Sequence, residues 1–372
     1  MKVYVLIKIA LLFILHYSIH TMLQKLILLG LLSTLFGCGG DGKPGLLSET
    51  GYHVGKEKVW YKSRNGMSYT VKEVIGADVR TFQKRELSSK IYPGTTAYYG
   101  IDDKSIFWVD TKIEGADLPS FEYLCNQYSR DKNAVYYMAQ ELTRDVAHLE
   151  IVSRDFIKDS KHVYFESGVF SEDPMHFVAV GDEGSNYYKD SHNCWYNTYP
   201  LKDADPATLR IIGENTAADA NHVYVEMNEV AGADQKTYRI LSHGYSKDAH
   251  QVFLNSEMIE GADAATFQVL QASYGKDDKH CFYRSRIIAE ADPASFQLID
   301  EFYCKDSRQV FINGTTIKGA DPATFRVLNS NAGCSCDAKH AYTLEHRIEG
   351  VDPAKFPKNG KCVSCNESGV TF

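Results

Sequence analysis

The chain has 372 residues, of which 44% are hydrophobic and 12% aromatic, with 24 tyrosines, so it can bury a sizeable core and is not a disordered chain. Its formal charge is −8 and no run of Lys and Arg occurs anywhere, which argues against the clustered basic surface that a nucleic-acid backbone needs and so against nucleic acid as a partner. A single core rarely grows beyond about 250–300 residues, so a chain of this length is either several domains or a repeat array.

Two apolar pieces open the chain, Val3 to Leu15 and Leu26 to Phe36, separated by a polar patch with His16, His20, Gln24 and Lys25. Neither reaches the roughly 20 residues that span a bilayer. The second reads as the apolar region of a signal peptide, with a true start at Met1 or at Met22. Leu35-Phe36-Gly37-Cys38 resembles a bacterial lipoprotein cleavage site, with Phe36 in place of the usual smaller residue. That resemblance implies removal of residues 1–37, a lipid on Cys38 and a membrane anchor in the cell envelope; an ordinary signal peptide or an uncleaved anchor is the alternative. Gly39 rather than Asp after the cysteine implies delivery to the outer membrane. Without residues 1–37 the chain keeps 37 basic against 48 acidic side chains. Residues 38–50, beginning Cys38-Gly39-Gly40-Asp41-Gly42, read as a flexible tether.

From residue 51 to 356 the sequence repeats. Ala204-Asp205-Pro206-Ala207-Thr208-Leu209 returns as ADQKTY, ADAATF, ADPASF and ADPATF, with aspartates at Asp205, Asp234, Asp263, Asp292 and Asp321, a step of 29 each time. Weaker copies stand at Asp78, Asp117, Asp145, Asp173 and Asp352. A second block of the form KDxxxVY carries Asp102, Asp131, Asp159, Asp190, Asp219, Asp248, Asp277, Asp306 and Asp337. With a degenerate first unit around Trp60 and Asp78, the two ladders predict about ten units.

Within a unit, a β-branched and aromatic stretch such as His222-Val223-Tyr224-Val225 predicts a strand. Asp followed by Pro predicts a capped turn, because Asp accepts free amides and Pro lacks one. Phe325 and Val327, on one face with Arg326 on the other, predict a second strand. The expectation is an all-β chain of two-stranded hairpins, stacked as an open solenoid or superhelix because one hairpin cannot bury its apolar face alone. A closed propeller-like ring is the alternative. It calls for a 58-residue alternation, which the sequence lacks.

Arg130-Asp131-Lys132-Asn133-Ala134-Val135-Tyr136-Tyr137, with the KDxxxVY copies around it, resembles the bacterial DKNYY family over most of residues 98–356. The resemblance implies an exported or lipid-anchored repeat protein. It implies no catalytic residue and no cofactor.

The repeated aspartates invite a calcium reading, which needs six to eight oxygens around an ion. The two ladders, some 15 residues apart, are expected at opposite ends of each hairpin, so Asp205, Asp234, Asp263, Asp292 and Asp321 read as turn caps and no metal is assigned. Cys334, Cys336, Cys362 and Cys365 read as disulfide partners that tie the tail, residues 357–372, onto the last unit, with a zinc cluster as the lesser reading. Cys194 and Cys281 occupy a strand slot and read as small core residues. His162, His222, His280 and His340 share a slot read as a solvated turn. Ser129 and Ser273 each begin an SxxK match that lacks partner motifs.

The function expected on this basis is a repeat scaffold presenting an acidic, tyrosine-rich surface to an envelope protein or glycan, without enzymatic activity. The alternatives are an envelope enzyme with its site in the irregular first unit, from Trp60 to Arg85, and a purely structural surface protein.

Overall fold

A computed structural model describes residues 43–45, 48–182, 184–271, 273–357 and 360–372; residues 1–37 and Cys38, on which the signal and lipidation readings fall, lie outside them. Among the described residues there is no α-helix, only three short 3-10 turns at Leu118–Ser120, Val146–His148 and Pro353–Lys355. The strands form a three-stranded sheet (Gly51–Val54, Val59–Asn65, Ser68–Glu73), nine four-stranded sheets in chain order and a last hairpin (Ser364–Asn366, Gly369–Thr371). The all-β repeat architecture stands, and no sheet closes into a barrel.

The chain forms two compact units, up to Met175 and from His176. The first holds the three-stranded sheet and three of the four-stranded sheets; the second holds the other six and the last hairpin. Of the segment read as a tether, residues 43–45 and 48–50 are described. Lys62, 1% exposed, donates from Nζ to the carbonyls of Gly45 (2.8 Å) and Ser48 (2.6 Å), which fixes this part of the chain to the first sheet.

Each repeat is richer than a hairpin. In one unit the strands Gln297–Leu298, Tyr303–Lys305, Val310–Ile312 and Thr315–Thr316 run as an antiparallel meander, with Gln297 opposite Lys305, Lys305 opposite Val310 and Phe311 opposite Thr316. The two middle strands are buried on both faces, because a neighbouring sheet covers each side. The outer strands are short, often two residues long, which leaves little unpaired edge for another chain to join.

The third and fourth strands are joined by a two-residue turn. Its first residue lies seven beyond the KD aspartate and has positive φ in all nine sheets: Val109, Met138, Glu166, Asn197, Glu226, Asn255, Arg284, Asn313 and Leu344, at 50 to 57°. Tight hairpins need that left-handed geometry. The surroundings hold it in place, since the amide of this residue donates to the turn before the second strand, as from Glu226 to Asn215 O (2.8 Å) and from Leu344 to Gly333 O (2.7 Å).

Where an aromatic residue closes the ADPxTF block, it wedges between consecutive sheets. Phe325 lies 5.7 Å from the Tyr303 ring of the sheet before it and 6.3 Å from the Tyr342 ring of its own sheet. Phe267 sits in the same way between Tyr245 and Phe282, and Phe296 between Tyr274 and Phe311. Full burial of one such ring contributes about 1.5–3 kcal/mol, so apolar contact between neighbours is a large share of what holds the stack.

Candidate functional site

The residues that repeat most faithfully converge on the turn between consecutive sheets. Each KD aspartate is buried, 0 to 6% exposed. Its Oδ1 accepts the amides two and three residues on, as Asp306 does from Arg308 and Gln309, both at 2.7 Å. That turn joins the second and third strands. In seven of the nine its Oδ2 accepts the amide of the ADPxTF aspartate before it, as from Asp292 to Asp306 at 2.9 Å, while at Asp159 the Oδ2 accepts the Tyr164 hydroxyl and the Asp145 amide turns to Thr143 Oγ1.

The two aspartate ladders therefore meet, contrary to the expectation that they lie at opposite ends of a hairpin. The fourteen residues between Asp292 and Asp306 fold into the first two strands of the sheet, which brings their ends together. The same bond joins Asp205 to Asp219 (3.0 Å), Asp234 to Asp248 (2.9 Å), Asp263 to Asp277 (2.9 Å) and Asp321 to Asp337 (3.1 Å). It also occurs in the first compact unit, from Asp117 to Asp131 (2.6 Å) and from Asp78 to Asp102 (2.9 Å).

The lysine of KD reaches forward instead. Lys276 Nζ donates to Pro293 O (2.9 Å), so the turn at 292–293 is gripped by Lys276 of the sheet before it and Asp306 of the sheet after it. Lys189, Lys247 and Lys305 do the same to Pro206, Ala264 and Pro322 at 2.7 to 2.8 Å. Where the lysine slot holds Ala218, Gln235 donates back to Ala220 O instead (3.0 Å).

The ADPxTF aspartates cap their own turn: Asp205 Oδ1 accepts the Ala207 amide (2.9 Å) and Oδ2 the Thr208 hydroxyl (2.7 Å), and Asp292 does likewise with Ala294 and Ser295. Burial alone would raise the Asp219 carboxyl, but the amides of Asp205, Asn221 and His222 outweigh it and hold the group below its ordinary value. Asp159 and Asp337 are lowered in the same way, burial being outweighed by donors around them. Carboxylates so filled with N–H and O–H donors hold backbone in place.

A third ladder went unread in the sequence. Three residues before the KD aspartate stands a buried tyrosine, at Tyr99, Tyr128, Tyr187, Tyr245, Tyr274 and Tyr303. In four of the six the hydroxyl reaches a carbonyl of the next sheet, as Tyr128 donates to Asp155 O (2.9 Å), Tyr187 to Asn215 O (2.9 Å), Tyr245 to Arg284 O (3.4 Å) and Tyr274 to Phe302 O (2.6 Å), whereas the Tyr99 and Tyr303 hydroxyls are buried and make no such bond. The slot is hard to see because Phe156, Thr216 and Cys334 fill it in the remaining sheets.

Cys334 is joined to Cys365, 31 residues on, so at the last junction a disulfide takes the place of the tyrosine tie. Cys365 and Val370 of the tail, with Phe356 just before it, pack on Cys336, Ala341 and Ile348. Cys336 and Cys362 are buried free thiols, and Arg326 Nε donates to Cys336 Sγ (3.1 Å). Cys194, Cys281 and Cys304 are buried as well, and burial pushes their thiols up to about 12, which leaves almost no thiolate for nucleophilic or metal chemistry.

The repeated histidines are half-buried rather than solvated. Each lies beside the aromatic ring two residues on, His222 by Tyr224 and His280 by Phe282. Ser129 is fully buried, and Lys132 of its SxxK match pairs with Asp117 (2.9 Å). Lys276 of the other match is the clamp on Pro293.

A polar groove, walled in part by clamp residues, recurs at two junctions. Ser295, Gln297, Lys305, Ser307 and Pro322 line one copy; Thr266, Gln268, Lys276, Asp278 and Pro293, each 29 residues earlier, line another.

The DKNYY family model matches residues 98–228, 156–286 and 217–346, three overlapping spans that together cover more than half of the chain. The chain belongs to the DKNYY family. Each matched span exceeds one 29-residue step several times over, so the family model covers several units at once and matches in overlapping register. The short string for which the family is named sits here at Asp131-Lys132-Asn133, where Asp131 Oδ1 accepts the amides of Asn133 (2.7 Å) and Ala134 (2.9 Å), and Tyr136 donates to its Oδ2 (3.1 Å). The DKNYY signature is thus a turn-forming device. No curated protein and no solved structure matches the chain.

Proposed function

We propose that the chain is a lipid-anchored envelope protein whose repeat scaffold presents one recognition surface many times to a protein or glycan ligand. The observation that carries this reading is the groove that recurs in the same residue slots 29 residues apart. A catalytic site needs one cluster unlike the rest, whereas a surface repeated unit by unit suits a long or repetitive ligand, with modest affinity at each step and avidity from several. Most of the repeated acidic side chains are engaged in holding turns and the free thiols among the described residues are buried, which favours scaffold over chemistry. The lipid anchor rests on Leu35-Phe36-Gly37-Cys38 and on the lack of acidic residues before it.

Two measurements test the proposal. The mass of the protein recovered from producing cells should show cleavage before Cys38 and an added lipid, both lost in Cys38→Ser. In binding assays against isolated envelope proteins and cell-wall glycans, Gln268→Ala or Gln297→Ala alone should weaken binding by less than about threefold, while changing the slot in several units together should abolish it. A chain that binds nothing but hydrolyses a cell-wall or lipid substrate, and loses that activity through one substitution between Trp60 and Arg85, would place the function in the irregular first unit instead.

A further inference from the structure

Charge is distributed unevenly along the chain. Residues 51–90 hold nine basic and four acidic side chains, a net of +5, while residues 91–372 hold 27 and 42, a net of −15. The basic segment supplies the whole three-stranded sheet and the first strand of the next, Gln83–Ser88. It is also the part of the structure nearest in sequence to Cys38.

The described chain is pinned to this sheet from its first residues. Lys43 Nζ lies 5.3 Å from the centre of the Trp60 ring, and Lys62 holds the carbonyls of Gly45 and Ser48. Lys43 stands five positions after Cys38, and five such steps span at most about 18 Å. A lipid on Cys38 therefore keeps Trp60 within a few tens of ångströms of the bilayer, whatever path those residues take.

We propose that the first sheet is a membrane-docking surface for the anionic phospholipid headgroups of the leaflet that holds the Cys38 lipid. The inference rests on the lipoprotein reading above and adds a surface and a ligand class to it. Lys56, Arg64, Lys72 and Lys84 are exposed on this segment. Among them stand exposed apolar residues, Met67 at the tip of the second hairpin (100% exposed), Val54 (52%) and Tyr69 (41%), the last lying under Arg64. Basic groups beside interfacial apolar side chains are what a negatively charged bilayer surface attracts. The attraction is effective only within about 8 Å at physiological salt, which the short, pinned leader makes reachable. Residues 91–372 carry the same sign of net charge as the bilayer and are repelled by it, which leaves the basic sheet as the part that docks.

The test uses the mature chain from residue 38 with Cys38→Ser, so that no lipid contributes; every contact described above lies C-terminal to residue 42. Co-sedimentation is measured with vesicles of phosphatidylcholine alone and with added phosphatidylglycerol. The chain should sediment with the anionic vesicles only, and release as salt rises from about 0.1 to about 0.5 M. Lys56→Glu, Arg64→Glu and Lys84→Glu together should weaken binding at least about tenfold, with an unchanged thermal unfolding curve. Equal sedimentation with neutral and anionic vesicles, or none with either, overturns the inference. So does anionic binding that the triple variant retains in full. The salt dependence of the unsubstituted chain decides the matter if that variant does not fold. Lipidation is read separately from the mass of the cellular protein, so failure of the anchor and failure of the docking surface give different results.

Discussion

Asp306→Ala is the sharpest perturbation of the clamp. Asp306 is 3% exposed and accepts three amides, from Arg308 and Gln309 at 2.7 Å and from Asp292 at 2.9 Å. A hydrogen bond to a charged group contributes about 1.5–3 kcal/mol, and a buried donor left unmade costs about 1–3 kcal/mol. Alanine removes all three, and some of the freed amides reach water because Ser307 and Arg308 beside them are exposed. The expected loss is about 3–5 kcal/mol of stability in the sheets on either side. Asp306→Asn separates the two halves of the role. Its oxygen still accepts Arg308 and Gln309, but its amide nitrogen meets the Asp292 N–H donor to donor, so the expected loss is about 1–3 kcal/mol. The assay is urea unfolding together with hydrogen exchange by mass spectrometry, which should show faster exchange in residues 292–312 and near-native rates in the first compact unit, since coupling in an array passes between neighbours. A loss below about 0.5 kcal/mol for alanine, or an asparagine variant as stable as the parent, would refute the clamp.

Other consequences follow from the same geometry. Cys365→Ser opens a loop of 31 residues and should lower stability by about 3–4 kcal/mol, with early exchange confined to the last sheet and the tail. Val109 holds a left-handed conformation (φ 57°) that a β-branched residue resists, so Val109→Asn or Val109→Gly should raise the thermal midpoint, by about 0.5–1 kcal/mol in free energy. Asp159, Asp219 and Asp337 have folded-state values below the ordinary 3.8, so their stabilisation is complete above that pH and is lost as pH falls through the lower folded values. The urea midpoint should therefore stay level from about pH 7 to 5 and drop below about pH 4, and Asp219→Asn should flatten part of that drop.

Much of this architecture could be read from the sequence, for reasons that are physical. Asp205 and its repeats were legible because Asp-Pro has one structural meaning at the start of a turn, and the 29-residue step exposed the unit. The fourth strand was not legible: Thr315–Thr316 is two residues long and has no alternation to detect. The positive-φ slot was hidden because residues as unlike as Val109, Glu226, Arg284 and Leu344 occupy it, held there by the bond to the preceding turn rather than by their own preference. The meeting of the two aspartate ladders is not legible from spacing, because a step of fourteen residues reads as a length while in the fold it is a hairpin whose ends coincide. The tyrosine tie is a contact between units about 28 residues apart, and no single unit displays it.

The account stands or falls on whether the turn between sheets is locked by the aspartate that follows it. Residue-resolved hydrogen exchange of the native chain measures this at the amides of Asp205, Asp234, Asp263, Asp292 and Asp321. If Asp219, Asp248, Asp277, Asp306 and Asp337 accept them as described, these turn amides exchange as slowly as the buried third-strand amides of Val223, Val252 and Val310. Exchange at the rate of an open loop would contradict the clamp and leave apolar packing alone to hold the repeats together.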